Sequence, residues 1–186
     1  MSLSGLLQVV ADDPQLRRAL ELAGQPAAGG ADLVAPPALR PVLAAALTGA
    51  PGTGAPGPGP AGTGPHGTDR SAPGRRFVLP VTATAGEAEE LTSALGSLLG
   101  PSSVACFPAW ETLPHERLSP RSDTSGQRLA VLRRLAHPDP ADPRSGPLAV
   151  VAAPVRSLLQ PMVSGLGELQ PVRLVPGQSA DRKSVV

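Results

Sequence analysis

Between Gly49 and Arg75 the chain reads GAPGTGAPGPGPAGTGPHGTDRSAPGR, twenty-seven positions with almost no side chain able to enter a core. Each proline removes a backbone donor and fixes φ, and each glycine raises the entropy lost on ordering. The run is therefore expected to be a disordered, partly polyproline-like insertion, and the fold must be built from the residues on either side of it. His66 lies inside it and reads as a solvated bystander rather than a ligand.

With 186 residues the chain is long enough for one α/β domain, although 24 Pro, 21 Gly and 2% aromatic residues reduce what can pack. A net charge of +1 sets up no field that would favour nucleic acid or a membrane surface. The single cysteine, Cys106 in SVACF, has no internal disulfide partner and is expected to be a buried, inert thiol in a reducing cytosol. No basic stretch precedes a long apolar run, so no signal peptide is visible. No run approaches the roughly 20 apolar residues that span a bilayer. A soluble, cytoplasmic protein is expected. Fifteen arginines against the one lysine, Lys183, reflect GC-rich coding, which also inflates Ala, Gly and Pro and makes composition a poor guide to function.

Periodicity supplies the elements. Residues 3–10 and 13–22 read as helix, with Asp12 or Asp13 as cap, Pro14 in the first turn, Leu16 and Leu20 as stripe, and Gly24 as stop. A short strand is expected at 31–34 and a helix at 36–47, where Leu39, Leu43 and Leu47 recur four apart. Past the insertion, FVLPVT (77–82) is a buried strand candidate, placed by Pro80 near an edge or a bulge. A helix follows over 87–99 with glutamates in its first turn and Gly100 at its end. A second strand is expected at 103–107 and a loop with prolines at 108, 114 and 120, pinned by Trp110. The next helix starts at Ser122 or Asp123, packing by Leu129, Leu132 and Leu135, with Arg128, Arg133 and Arg134 on other faces. Strands at 148–153 and 171–175 flank a short helix at 155–159. Strand and helix alternating at this spacing imply a parallel sheet in a three-layer α/β domain.

The search for chemistry is mostly exclusion. No GxxxxGK[ST] occurs, so there is no working P-loop, and the glycines among the prolines follow no strand. One Cys and three scattered His, without HExxH or CxxC, do not assemble a zinc site. A triad drawn from His115, Asp123 and a serine lacks a nucleophile elbow. No catalytic, cofactor-binding or metal residue is assigned. The densest polar cluster is Trp110, Glu111, His115, Glu116, Arg117 and Arg121. It reads either as a contact surface, with Trp110 stacking on bases and the arginines meeting phosphate, or as structure, with Trp110 plugging the loop onto the sheet. The structural reading is preferred, because one aromatic and two arginines make a thin nucleic-acid site.

The segments VLPVTATAGEAEEL (78–91), FPAWETLPHERLSPRSD (107–123), QRLAVLRRL (127–135) and VVAAPVRSLLQP (150–161) resemble, in order and spacing, the amino-terminal module of bacterial transcription-repair coupling factors. WETLP and SPRSD are its specific elements. The resemblance implies a parent that is an ATP-dependent DNA translocase of the helicase type, which displaces stalled RNA polymerase and recruits nucleotide excision repair. It also implies a module similar to the first domain of excinuclease B, a RecA-like fold with a degenerate nucleotide site. Excinuclease B carries several tyrosines at this loop to clamp damaged DNA, and here Trp110 alone remains. ATP and magnesium belong to the family's motor, which lies outside this sequence. RNA polymerase, excinuclease A and duplex DNA are the parent's partners, and this stretch is expected to bind none of them tightly.

The resulting division is 1–48, an N-terminal helical part; 49–75, the insertion; 76–178, the α/β core; and 179–186, an artificial tail, because DRKSVV resembles a translated sequencing-adapter read. The chain thus reads as a truncated, non-catalytic scaffold module. The alternative is a small α/β enzyme that binds a nucleotide or sugar phosphate at the turn Thr82–Gly86 with Arg117 and Arg121.

Overall fold

The computed structural model describes residues 7, 10, 12–24, 32–49, 76–112 and 119–169. The insertion, apart from Gly49, the strand expected at 171–175 and the tail at 179–186 lie outside the described residues. Leu7 and Val10 are helical, and Leu7 is fully buried. Helix α1 (Pro14–Gly24) starts as its sequence dictates. The Asp13 carboxylate accepts from the backbone N–H of Gln15 at 2.8 Å and of Leu16 at 3.1 Å, and Pro14 sits where no N–H is needed.

The strand expected at 31–34 is not formed: residues 32–34 have no regular structure, and Val34 is fully exposed ahead of Pro36 and Pro37. A 3-10 turn, Pro37–Leu39, leads into α2 (Arg40–Leu47). Its buried positions are Val42, Ala44, Ala45 and Ala46 rather than the leucine stripe. Alanine brings the helix backbone close to its neighbours, so the leucines are displaced towards the rim. The buried Thr48 hydroxyl closes the end by donating to the Ala45 carbonyl at 2.7 Å.

Three parallel strands form the sheet in the order β1–β3–β2: β1 (Val81–Thr82), β2 (Val104–Cys106) and β3 (Val150–Pro154). Val81 pairs with Ala153, and Val104 with Val150. The 77–82 strand is shorter than its sequence suggests because Pro80 has no N–H to give β3. Only an isolated bridge, Val78 to Val150, continues the pairing upstream. It is also less buried than expected, with Phe77, Leu79 and Val81 about half exposed. Pro80 does mark an edge, since β1 is an outer strand of this sheet.

Helix α3 (Ala85–Leu99) ends at Gly100, whose φ of 90° is left-handed backbone that glycine adopts without strain. Its Leu95 and Leu98 pack with Leu7, Val42, Val104 and Val150 on one face of the sheet. Helix α4 (Ser122–Ala136) places Val131 against Phe107, Val151 and Ala153 on the other. The adjacent residues Val150 and Val151 point to opposite faces, as strand geometry requires, so helices cover the sheet on both sides and the class is α/β. A short α5 (Val155–Leu159) follows β3 directly. Arg134 ties the return loop down, its Nε donating to the Gly146 carbonyl at 2.8 Å and its Nη2 to the Ser102 carbonyl.

One part of the α4 stripe differs from expectation. Leu129 is 52% exposed, whereas Arg128, assigned to an outer face, is 3% exposed. Leu132 and Leu135 do pack against the second cluster. Leu95→Ala is accordingly expected to cost about 2–5 kcal/mol in denaturant unfolding, and Leu129→Ala less than about 0.5 kcal/mol. Equal costs would contradict the burial pattern.

Candidate functional site

Ligands of open parallel sheets sit beyond the carboxyl ends of the strands, and three connections meet there. From β1 the chain turns through Ala83 and Thr84 into α3. The Thr84 hydroxyl accepts from the Glu87 N–H at 3.2 Å, and Glu87 Oε2 accepts from the N–H of Ala83 at 3.1 Å and of Thr84 at 3.2 Å. This capping box follows from the sequence T-A-G-E. It fills the amides that would otherwise face an anion with the protein's own carboxylate, whose charge the helix dipole also favours. A phosphate at this turn would meet that carboxylate.

From β2 the chain enters the loop that holds Trp110. The Phe107 N–H continues the ladder to the Ala152 carbonyl at 2.8 Å. Arg128, one turn before Val131 on α4, lies over two rings. Its guanidinium carbon lies 4.1 Å from the Phe107 ring centre and 4.7 Å from that of Trp110. Nη1 donates to the Pro108 carbonyl at 2.7 Å and to Gln160 Oε1 at 3.3 Å. Nη2 is buried with no acceptor among the described residues, and the faces of the rings supply negative potential to the guanidinium. Burial pushes the Arg128 guanidinium down from its usual value. Gln160, just past α5, completes the arrangement: its Oε1 accepts from the Trp110 N–H at 2.8 Å and its Nε2 donates to the Trp110 carbonyl at 3.1 Å. The side-chain amide pairs with one residue of main chain as a neighbouring strand would.

Of the residues singled out from the sequence, Trp110 is half-buried in this stack, and Glu111 and Arg121 are exposed. His115 and Arg117, with Glu116, lie outside the described residues. Glu111 accepts from the Thr124 hydroxyl in the first turn of α4. That hydrogen bond, with a smaller contribution from Arg121, holds its carboxyl below the usual glutamate value of 4.5. The bond is made to the Thr124 side chain, so Glu111 braces the loop against α4 without capping a backbone N–H as Ser122 or Asp123 was expected to do. The N-cap is in fact Arg121, whose side chain caps nothing. Sequence reasoning missed Arg128 and Gln160. The signal for Arg128 was its position three residues before Val131, in phase with the buried side of the helix.

Catalytic arrangements are scarce among the described residues. No group of three His, Cys, Asp or Glu is placed to hold a metal ion. A cavity of about 600 Å³ lies between α4 and residues 162–169, away from the Trp110 stack. Its walls are mostly apolar, with Arg133 and His137 but no carboxylate, serine or cysteine. The Cys106 thiol is half-buried, and burial raises its pKa, which leaves it a poor nucleophile at neutral pH.

No protein-family model matches the chain. Over 109 residues, 59% of its length, it is 52% identical to the transcription-repair-coupling factor of Mycobacterium bovis, and equally to that of Mycobacterium tuberculosis. Over this stretch the chain is similar to these two transcription-repair-coupling factors. The likeness bears out the resemblance carried by the WETLP and SPRSD segments and is consistent with a partial amino-terminal module. The stretch amounts to 9% of the length of either factor.

Two outcomes are expected of the stack. Arg128→Ala is expected to cost on the order of 3 kcal/mol, from lost ring contacts and charged hydrogen bonds, and to shift the emission of the sole tryptophan to the red. Unchanged emission would mean that Trp110 does not depend on Arg128. For Glu111 the folded pKa is depressed, so its contribution is present above the ordinary carboxylate range and is lost as pH falls through the lower folded value. Thr124→Val should raise the Glu111 pKa towards its usual value in an NMR titration.

Proposed function

We propose that this chain is a non-catalytic scaffold module of a transcription-repair coupling factor, cytoplasmic, with the core spanning 76–178. On this reading the fold is RecA-like, and its nucleotide position at Thr82–Gly86 has degenerated. The parent protein is an ATP-dependent DNA translocase that displaces stalled RNA polymerase and recruits excision repair through excinuclease A. The observation that carries the proposal is the 52% identity over 109 residues to two such factors. The Glu87 carboxylate on the amides of Ala83 and Thr84 supports the non-catalytic part, because it stands where a phosphate would have to bind. It counts equally against a small phosphate-binding enzyme.

Thermal denaturation with and without magnesium ATP separates the two readings. The scaffold keeps its melting temperature, whereas a nucleotide site at 100 times its dissociation constant would add about 2.7 kcal/mol to stability. A reproducible rise would favour the enzyme. The parentage is tested by reading the source DNA past codon 180: a frame that runs on into a motor bearing GxxxxGK[ST] is expected, and a stop after Val186 in the intact gene would overturn it.

A further inference from the structure

The outer edge of β1 differs from an ordinary sheet edge. The inward-facing main-chain groups belong to alternate residues: the Val78 N–H donates to the Ala149 carbonyl at 2.9 Å, the Val78 carbonyl accepts from Val151 at 3.1 Å, and the Pro80 carbonyl accepts from Ala153 at 3.0 Å. Phe77, Leu79 and Val81 therefore direct their N–H and C=O groups away from the sheet, and none of these groups has a partner among the described residues. Natural edges are commonly blunted by a charge or by a proline turned outward. Here Pro80 is turned inward, and the outward positions carry three apolar residues that are 51%, 44% and 51% exposed. Their side chains share a face, opposite to that of Val78, which packs into the α3 side of the core.

We propose that this edge receives an extended segment of a partner polypeptide as an added β-strand, with apolar residues at every second position to lie beside Phe77, Leu79 and Val81. Unpaired donors and acceptors at a two-residue spacing are complementary to a strand and to no helix, since a helix has spent its own main-chain groups. A second copy meeting edge to edge is the weaker occupant. Half of three apolar side chains amounts to about 250 Å² of cover, far below the roughly 800 Å² per partner of a stable interface between rigid bodies. An extended peptide draws its affinity from main-chain bonds and does not need that area.

The test is amide hydrogen exchange on the full chain, with a soluble peptide of alternating valine and threonine as the probe and the same peptide N-methylated at every amide as its control. The unmethylated peptide is expected to slow exchange at Phe77, Leu79 and Val81 by about tenfold, equivalent to about 1.4 kcal/mol, and the methylated one to leave them unchanged. The amides of Leu91 and Leu95 in α3 serve as the internal reference for an intact fold. Leu79→Pro, which removes an outward donor only, should abolish the protection. No protection, or equal protection by the methylated peptide, would overturn the proposal. So would protection of the chain alone that grows with its concentration alongside a sedimenting dimer, which would assign the edge to a second copy.

Discussion

Strand β3 sets the position of everything else. Its residues Val150–Pro154 carry no charge and are buried throughout, with β1 on one edge, β2 on the other, and a helical layer over each face. A strand so enclosed gives up all its polar main-chain groups to neighbours, which is why parallel sheets read as continuous apolar runs. The small side chains of Ala152 and Ala153 let the layers approach. A larger residue at either would push α3 or α4 away from the sheet and cost about 1–3 kcal/mol through overpacking.

Beyond the carboxyl end of that strand, several polar groups among the described residues are committed within the chain. Glu87 holds the amides at the start of α3, Glu111 lies against the first turn of α4, and Gln160 occupies the main chain of Trp110. Arg128 has its charge against two aromatic faces, not towards solvent. Gln160 joins two connections, the loop after β2 and the end of α5, while Glu87 and Glu111 brace contacts within one.

Much of the fold could be read from the residues, and the exceptions have physical causes. The helix start at Asp13, the stop at Gly100 and the strand around Val151 follow from local chemistry, since capping and apolar runs act over three or four residues, whereas the capping box at Thr84 starts α3 two residues before the expected Glu87. The failures involve distance along the chain. Spacing puts Leu129 in the core and Arg128 outside because it cannot show that two rings lie against a guanidinium. Gln160 was invisible for the same reason, being far in sequence from Trp110. The 32–34 segment carries Leu33 and Val34, yet both are exposed and the chain there is irregular ahead of Pro36 and Pro37. Of the dense polar cluster, Trp110, Glu111 and Arg121 fall among the described residues, and the contacts of Trp110 and Glu111 run to Thr124, Arg128 and Gln160.

The pairing of Gln160 with the main chain of Trp110 spans 50 residues. A contact of such separation can close only after the intervening helix and strand have found their places, because the entropy of closing the loop must first be repaid by nearer contacts. The indole therefore reports the docking of its own loop, and refolding followed by its emission would time that contact, while far-ultraviolet dichroism would time the growth of α3 and α4.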